Sequence, residues 1–288
     1  MAESTNEAVV IVSLTSLRSS VRKFQVENGR TYHGLSSGKY AYPNDDAEND
    51  RLGEKYLQHY IWVLTLDGAL CLSPKGEKGA KRALDVGTGT GIWAIEYADL
   101  HPESTVIGVD LSPIQPSMVP PNCAFEADDL EKEWTWSEPF DFIISRVMTG
   151  SFTDYEAFIN KAYNSLEPGG HFEMQDMRLP YESDDGTLKK DSYVNQLGQN
   201  FVKASEALGR PLTVASTYKS LMEKAGFKNV TERKYKWPLN AWAKDPYYKE
   251  IGKWNLANID DGMEDSWPRM PAASGTGEEV ESMLSPSR

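Results

Sequence analysis

A strand-to-helix turn built on alternate glycines constrains the fold of this chain more than any other feature. The stretch ALDVGTGTGIWAIEYA, residues 83–98, runs from an apolar segment through Gly87, Gly89 and Gly91 into a helical pattern. A glycine has no Cβ, so it permits a positive φ and a close approach of the backbone to a ligand. The free N–H groups of the following helix point at the same spot. The turn therefore predicts a ligand site between a strand and a helix.

Short apolar segments alternate with helical patterns through the middle of the chain. Strands are predicted at 82–87, 105–111, 123–127, 140–146, 170–177 and 228–237, and helices at 51–72, 92–100, 153–166, 187–208 and 213–225. This alternation is typical of a parallel sheet that is covered by helices on both faces. The sequence therefore predicts an α/β fold with a mainly parallel, twisted sheet.

Composition divides the chain into three regions. Residues 1–81 are predicted to form an N-terminal leader and helical cap, and residues 82–258 the sheet domain. Residues 259–288 are rich in glycine, proline, serine and acids, which is typical of a disordered tail. We therefore expect the ligand site to belong to the middle region.

The charge balance narrows the classes of partner. Thirty basic residues stand against 43 acidic ones, a net charge of −13, which disfavours nucleic acid and anionic membranes as direct partners. Cys71 and Cys123 are too few for a disulfide framework or a structural zinc site, and no metal is predicted. The N-terminus lacks the basic segment and long apolar run of a secretion signal. We expect a cytoplasmic or nuclear protein that is not secreted.

Acids stand at the ends of the first three predicted strands of the sheet domain. Asp85 precedes the glycine turn, Asp110 ends the next strand, and Asp128 and Asp129 end the third. A carboxylate at the position of Asp110 accepts hydrogen bonds from the ribose hydroxyls in adenosine-binding α/β folds. Asp128, in preference to Asp129, is predicted to accept a hydrogen bond from an adenine amino group.

The glycine spacing separates two classes of cofactor. The dinucleotide fingerprint is G-x-G-x-x-G, whereas this turn is G-x-G-x-G and follows Asp85. A carboxylate there repels a pyrophosphate but suits a cation. S-adenosylmethionine (SAM) carries an ammonium and a sulfonium group and no phosphate. The pattern therefore favours SAM over a nicotinamide cofactor and disfavours an oxidoreductase.

Longer segments carry a family resemblance. They are YPNDDAENDR (42–51), LDVGTGTGIWAIEYA (84–98), GVDLSPIQPSMVPPN (108–122), FEADDLEKEWTW (125–136), FDFIISRVMTGS (140–151) and LEPGGHFEMQD (166–176). Over roughly residues 13–258 the chain resembles class I SAM-dependent methyltransferases with a Rossmann-like fold. More narrowly, it resembles the fungal LaeA-like methyltransferases of secondary metabolism.

The resemblance implies roles for individual residues. The methionine moiety of SAM is expected to lie against Asp85, Gly87 and Gly89. The ribose is expected to meet Asp110, with Leu111 beside it, and the adenine to meet Asp128. Arg146 ends the fourth strand of the sheet domain, where it contacts substrate or cofactor or, alternatively, pairs with the acidic N-terminal segment. Tyr32 and His33 lie in a leader that could close over the cofactor, although a structural role is the first expectation for both.

Two functional hypotheses follow. The first is an enzyme that transfers a methyl group from SAM to a small molecule, such as a secondary metabolite, or to a protein. The second is a catalytically weak, SAM-binding regulatory subunit of a LaeA-like complex. The final antiparallel strand that the resemblance implies has no counterpart after Asn258, which favours this second hypothesis unless the sequence is truncated there, whereas the intact cofactor motifs favour the first. Under the second hypothesis a protein partner completes the sheet edge. No catalytic base is assigned: His171 is expected at the amino end of its strand, and only His33 remains as a weak candidate.

Overall fold

A computed structural model of the chain describes residues 56–266 and the backbone of 25–27 and 30–32, with side chains described for 57–260. Gln25–Glu27 (β1) and Arg30–Tyr32 (β2) form a small antiparallel pair. His33 and residues 267–288 of the predicted disordered tail (259–288) lie outside the described residues, so the expectations for them stay predictions. Residues 259–266 of that tail belong instead to the last described helix.

The centre of the protein is a five-stranded parallel sheet in the order β5-β4-β3-β6-β7. Its strands are β3 (Arg82–Val86), β4 (Thr105–Asp110), β5 (Cys123–Ala127), β6 (Phe140–Arg146) and β7 (Leu166–Gln175). The order reverses between β3 and β6, and open α/β sheets bind ligands at such a switch point, beyond the carboxyl ends of the strands. The predicted α/β class and the first four strands are confirmed.

Helices cover both faces of this sheet. They are α1 (Tyr56–Thr65), α2 (Pro74–Glu77), α3 (Ile92–Leu100), α4 (Tyr155–Asn164), α5 (Tyr193–Ala207), α6 (Tyr218–Ala225), preceded by a 3₁₀ turn at Val214–Thr217, and α7 (Pro246–Ser266). Asp154 caps α4 by accepting a hydrogen bond from the N–H of Ala157 at 2.9 Å. Gly226 ends α6 at a φ of 109°. Local capping chemistry therefore sets these two helix boundaries.

Successive residues of the central strands pack into two apolar clusters. Leu84 and Ile143 face α4 and α6, whereas Ala83 and Phe142 face Trp93 of α3. All four strand residues are completely buried. The near-continuous apolar sequences of β3 and β6 follow from this burial on both faces.

Two predicted strands and one predicted helix differ from the structure. The helix predicted over 51–72 ends at Thr65. Residues 228–237 form no strand in the described part of the chain; residues 231–236 are exposed and pair with no strand of the sheet. β7 begins at Leu166 rather than 170, because Leu166 already pairs with Phe140 before a register shift. His171 consequently lies within β7, where its Nδ1 is 2.8 Å from the Ser73 hydroxyl. β7 is thus an edge strand among the described residues.

The first and last of the described helices, α1 and α7, pack on each other. The ring of Tyr60 on α1 contacts that of Trp254 on α7, with centroids 5.4 Å apart. Helix α7 runs through residue 258, where the sequence placed the end of the middle region. None of the described helices has the length and apolar character needed to cross a membrane.

Candidate active site

The three glycines of the turn after β3 share a positive φ but differ in the space available for a side chain. Gly87, Gly89 and Gly91 have φ values of 70°, 57° and 84°, a region that L side chains rarely adopt. A Cβ on Gly91 would lie 2.3 Å from the ring of Phe125, and one on Gly87 would lie 2.1 Å from the sulfur of Met148. A Cβ on Gly89 would meet nothing within 4 Å. Gly89 is therefore the glycine at which the direction of a Cβ points into open space.

Asp85 lies behind this turn rather than in it. Its side chain is buried and accepts a hydrogen bond from the Thr88 hydroxyl at 2.6 Å. Burial raises the pKa of Asp85 to about 6, although the Thr88 hydrogen bond and the nearby Arg146 guanidinium lower it. The carboxyl therefore shapes the turn and places partial negative charge beneath it.

Asp110, at the end of β4, holds the turn from the other side. Its Oδ2 accepts a hydrogen bond from the N–H of Gly89 at 2.9 Å, and its Oδ1 accepts one from the N–H of Ser112 at 3.0 Å. The Gln115 amide donates to the Gly89 carbonyl at 2.6 Å. An ionised carboxylate has about four lone-pair positions, so one in this place can serve both the turn and the hydroxyls of a ligand.

The two acids that follow β5 have different surroundings. Asp129 is buried, accepts a hydrogen bond from the N–H of Glu131 at 3.1 Å and lies 3.7 Å from the Lys132 ammonium. Asp128 is half-buried, and its Oδ1 accepts from the N–H of Asp129 at 2.7 Å. Asp129 thus holds its own turn, and Asp128 is the more accessible acid.

The strand ends open onto one large cavity of about 2650 Å³. Of the predicted cofactor residues, those that line it are Gly87, Gly89, Asp110, Leu111, Asp128, Asp129 and Arg146, whereas Asp85 and Gly91 do not. Because neighbouring strands are about 4.8 Å apart, the acids after β5 and β4 and the glycine turn after β3 form a row roughly 10 Å long. A row of this length matches an extended nucleoside.

The comparisons with known proteins agree with this geometry. The model of a family described as "Methyltransferase domain" matches residues 57–232. Methyltransferase pytC of Aspergillus terreus is 41% identical over 253 residues, which cover 88% of this chain and 77% of that protein. The secondary metabolism regulator LAE1 of Cochliobolus heterostrophus is 35% identical over 244 residues, which cover 83% and 78%.

The chain belongs to the methyltransferase domain family. The predicted family resemblance, fold class and enzyme class are thereby confirmed. Among solved structures, human N-acetylserotonin methyltransferase in complex with SAM aligns with a TM-score of 0.44 and 19% identity, over 65% of this chain and 53% of that one. Membership of the family implies SAM as the methyl donor.

Arg146 of this methyltransferase is an internal link between elements. Its guanidinium donates from Nε to the Gln175 side chain at 2.7 Å and from Nη2 to the Leu70 carbonyl at 2.8 Å, and its Nη1 is 3.1 Å from His59 Nδ1. Burial lowers the pKa of Arg146 to about 10. Since arginine only donates, His59 accepts at Nδ1 and donates from Nε2 to Glu96 at 2.9 Å. The N-terminal segment predicted as its alternative partner lies outside the described residues.

Sequence reasoning missed several residues of the site. Thr88 and Gln115 brace the glycine turn, Met148 packs over Gly87, and Asp176 lines the cavity after β7. Gln115 and Asp176 both occur in segments that carry the family resemblance, but neither had a role assigned. For Asp176 the available signal was its place directly after β7, whereas Gln115 lies in the loop that follows β4.

Proposed function

We propose that the chain binds SAM along the ends of β5, β4 and β3 and transfers its methyl group to an acceptor. The observation that carries the proposal is the open space on the Cβ side of Gly89, whose N–H is held by Asp110 beside a cavity that both residues line. Bound SAM supplies a methyl group on a sulfonium, which already activates the carbon. The protein's part is alignment and exclusion of water.

Each part of the proposed ligand meets a group of matching chemistry. The Asp110 carboxylate accepts the ribose hydroxyls, with Leu111 beside the sugar, and Asp128 accepts from the adenine amino group. The cationic methionine end lies over Gly87 and Gly89, where the buried charge of Asp85 favours it. Asp85 and Gly91 act through the shape of the turn, because neither lines the cavity.

A second function is favoured by the relatives that are named secondary metabolism regulators, such as LAE1 of Cochliobolus heterostrophus. In this alternative the chain binds SAM within a protein complex and transfers little methyl. The edge of β7 that no described strand pairs offers backbone groups to a partner. Both functions require SAM binding, but only the first requires turnover.

The proposal is tested by calorimetric titration of SAM into the wild-type chain and the Asp110→Ala variant. Loss of charge-assisted hydrogen bonds worth about 1.5–3 kcal/mol each weakens binding by roughly 100-fold. The matched control is Asp154→Asn, because asparagine caps a helix as well as aspartate does. It removes one carboxylate far from the turn and leaves SAM binding unchanged. A folded wild-type chain that fails to bind SAM refutes both functions.

A further inference from the structure

Helix α1 forms part of the wall of the cavity and carries a buried histidine that the proposed SAM site does not use. Gln58 and Trp62 of α1 line the cavity, whereas His59 does not and is only 7% exposed. The ring of His59 instead connects α1 to the end of β6 and to α3, through Arg146 and Glu96. The protonation state of one side chain therefore bears on the position of a cavity wall.

Both ring nitrogens of His59 have fixed hydrogen-bonding roles. Nδ1 is 3.1 Å from Nη1 of Arg146, which only donates, and Nε2 is 2.9 Å from Oε2 of Glu96, which only accepts when it is ionised. The neutral ring with its proton on Nε2 satisfies both neighbours. A second proton, on Nδ1, takes up the lone pair that accepts from Arg146 and brings two cations into contact.

The surroundings of His59 oppose that second proton. Burial lowers the pKa of His59 below its ordinary value of 6.5, the Arg146 guanidinium lowers it further, and the Glu96 carboxylate raises it. Helix α7 also packs on α1, through the rings of Tyr60 and Trp254, and among the described residues it places no charged group against His59. The folded chain therefore holds His59 in its neutral form at neutral pH.

Arg146 keeps its charge through the range in which histidine titrates. Burial lowers the pKa of Arg146 only to about 10, while the acids Asp85 of β3 and Glu173 of β7 raise it. The nearby Cys71 thiol stays neutral, because burial raises its pKa to about 12. Asp85, whose pKa is raised by burial to about 6, takes up a proton over the same acid range and so removes an anion beside Arg146. Acid therefore weakens the hold on the guanidinium from two sides, and one of them runs through His59.

We propose that His59 and Arg146 form an acid-sensitive latch: a proton on His59 breaks its contact with Arg146 and releases helix α1 from the ends of β6 and β7, which widens the cavity. The hydrogen bond from Nε2 to Glu96 becomes charge-assisted and persists, so α1 stays joined to α3 while it moves away from the sheet. The latch controls access to the cavity, and it does not depend on which ligand the cavity takes.

The direction of the pH dependence follows from the lowered pKa of His59. The released state binds the extra proton more readily than the latched state, so the latched state has its full stability above about pH 6.5 and loses stability as pH falls below it. A single proton raises the ratio of released to latched chains by at most about tenfold per pH unit. The rise stops below the pKa of His59 in the latched state.

Amide hydrogen exchange of the full chain without cofactor measures the release. The exchange of residues 57–65 of α1, corrected for the intrinsic pH dependence of exchange, is compared with that of α4 (Tyr155–Asn164) in the same sample. We expect the opening of α1 to increase several-fold between pH 7.5 and pH 5.5, and by at most about tenfold, whereas α4 shows no such increase.

The variant His59→Gln removes the titration and keeps both hydrogen bonds. Its amide oxygen accepts from Arg146 and its NH₂ group donates to Glu96, so α1 of this variant should open no more at pH 5.5 than at pH 7.5. His101→Gln is the matched control, because burial lowers the pKa of that histidine as well. This control should show the full increase in the opening of α1.

A second variant and a spectroscopic measurement keep the test decisive if His59→Gln does not fold. Because Glu96 raises the pKa of His59, Glu96→Gln should move the opening of α1 to lower pH. Nitrogen-15 NMR of the wild-type histidine rings should show His59 protonated on Nε2 and titrating below pH 6.5. A wild-type α1 that opens equally at both pH values, a His59→Gln variant with an undiminished increase, or a His59 ring that titrates at or above pH 6.5 overturns the latch. These measurements use no SAM, so failure of the proposed function leaves their outcome unchanged.

Discussion

A single buried acid beneath the glycine turn makes the stability of the protein depend on pH. The pKa of Asp85 is raised from 3.8 to about 6 by burial, so the folded chain holds this proton more tightly than the unfolded chain. Stability from this group is fully present below about pH 4 and is lost as pH rises through 6. Asn at this position does not titrate and still accepts from Thr88 when its amide oxygen faces that hydroxyl.

We therefore expect Asp85→Asn without cofactor to gain stability relative to wild type as pH rises from 4 to 7, by at most about 3 kcal/mol. Urea unfolding of both chains across that range measures the difference in unfolding free energy, in which contributions common to both chains, such as that of buried His59, cancel. Asp154→Asn serves as the reference for an exposed carboxylate. A gap between the Asp85→Asn and wild-type curves that stays constant with pH would contradict the assigned burial effect.

At the scale of one element, we expect Gly91 of the glycine turn to matter mainly for stability and Gly89 mainly for SAM binding. Gly91→Ala places a Cβ 2.3 Å from the Phe125 ring at a φ of 84°, and it should cost about 2–4 kcal/mol of unfolding free energy. Gly89→Ala meets no atom within 4 Å and should cost only about 1–2 kcal/mol, from its positive φ. Its Cβ instead projects into the open space proposed for SAM.

Gly89→Ala should thus weaken SAM binding more than Gly91→Ala does, while Gly91→Ala should lower the melting temperature more. Thermal unfolding and calorimetry on the same two variants test this crossed pattern. If both variants lost binding and stability in equal proportion, the two glycines would not have separate roles.

The elements differ in how far the sequence determines them. Local signals predicted β3, the glycine turn and α3, because a run of buried apolar residues and positive-φ glycines are readable along the chain. The segment 228–237 has a strand-like sequence but no strand neighbour, and pairing is a property of the sheet. The same holds for the site. The roles of Gly89 and Asp110 could be predicted from the local sequence, whereas the burial of Asp85 and the partners of Arg146 depend on elements distant in the chain.

For the whole molecule, Arg146 connects the helical N-terminal region to the centre of the sheet. It joins His59 of α1, the Leu70 carbonyl after α1, and Gln175 of β7. Arg146→Met leaves the acceptors on His59 and Gln175 unpaired, whereas the Leu70 carbonyl keeps the hydrogen bond from the Trp93 indole N–H at 3.0 Å. The loss should cost about 2–6 kcal/mol of unfolding free energy. Arg146→Lys keeps the charge and should cost less. The free energy is measured by urea unfolding.

The same variants test whether Arg146 contacts SAM. If its role is the internal link, a folded Arg146→Lys chain binds SAM nearly as well as wild type. Calorimetry after confirming the fold by circular dichroism decides the point. Full stability combined with lost binding would make Arg146 a direct ligand residue.

The central claim is that a nucleoside cofactor extends over the ends of β5, β4 and β3. A crystal structure of the complex with S-adenosylhomocysteine tests it most directly. We predict the adenine near Asp128, the ribose hydroxyls on Asp110, and the sulfur beside the glycine turn on the side of Met148. A ligand bound elsewhere in the cavity, or one whose adenine lies toward Asp176, would contradict the account.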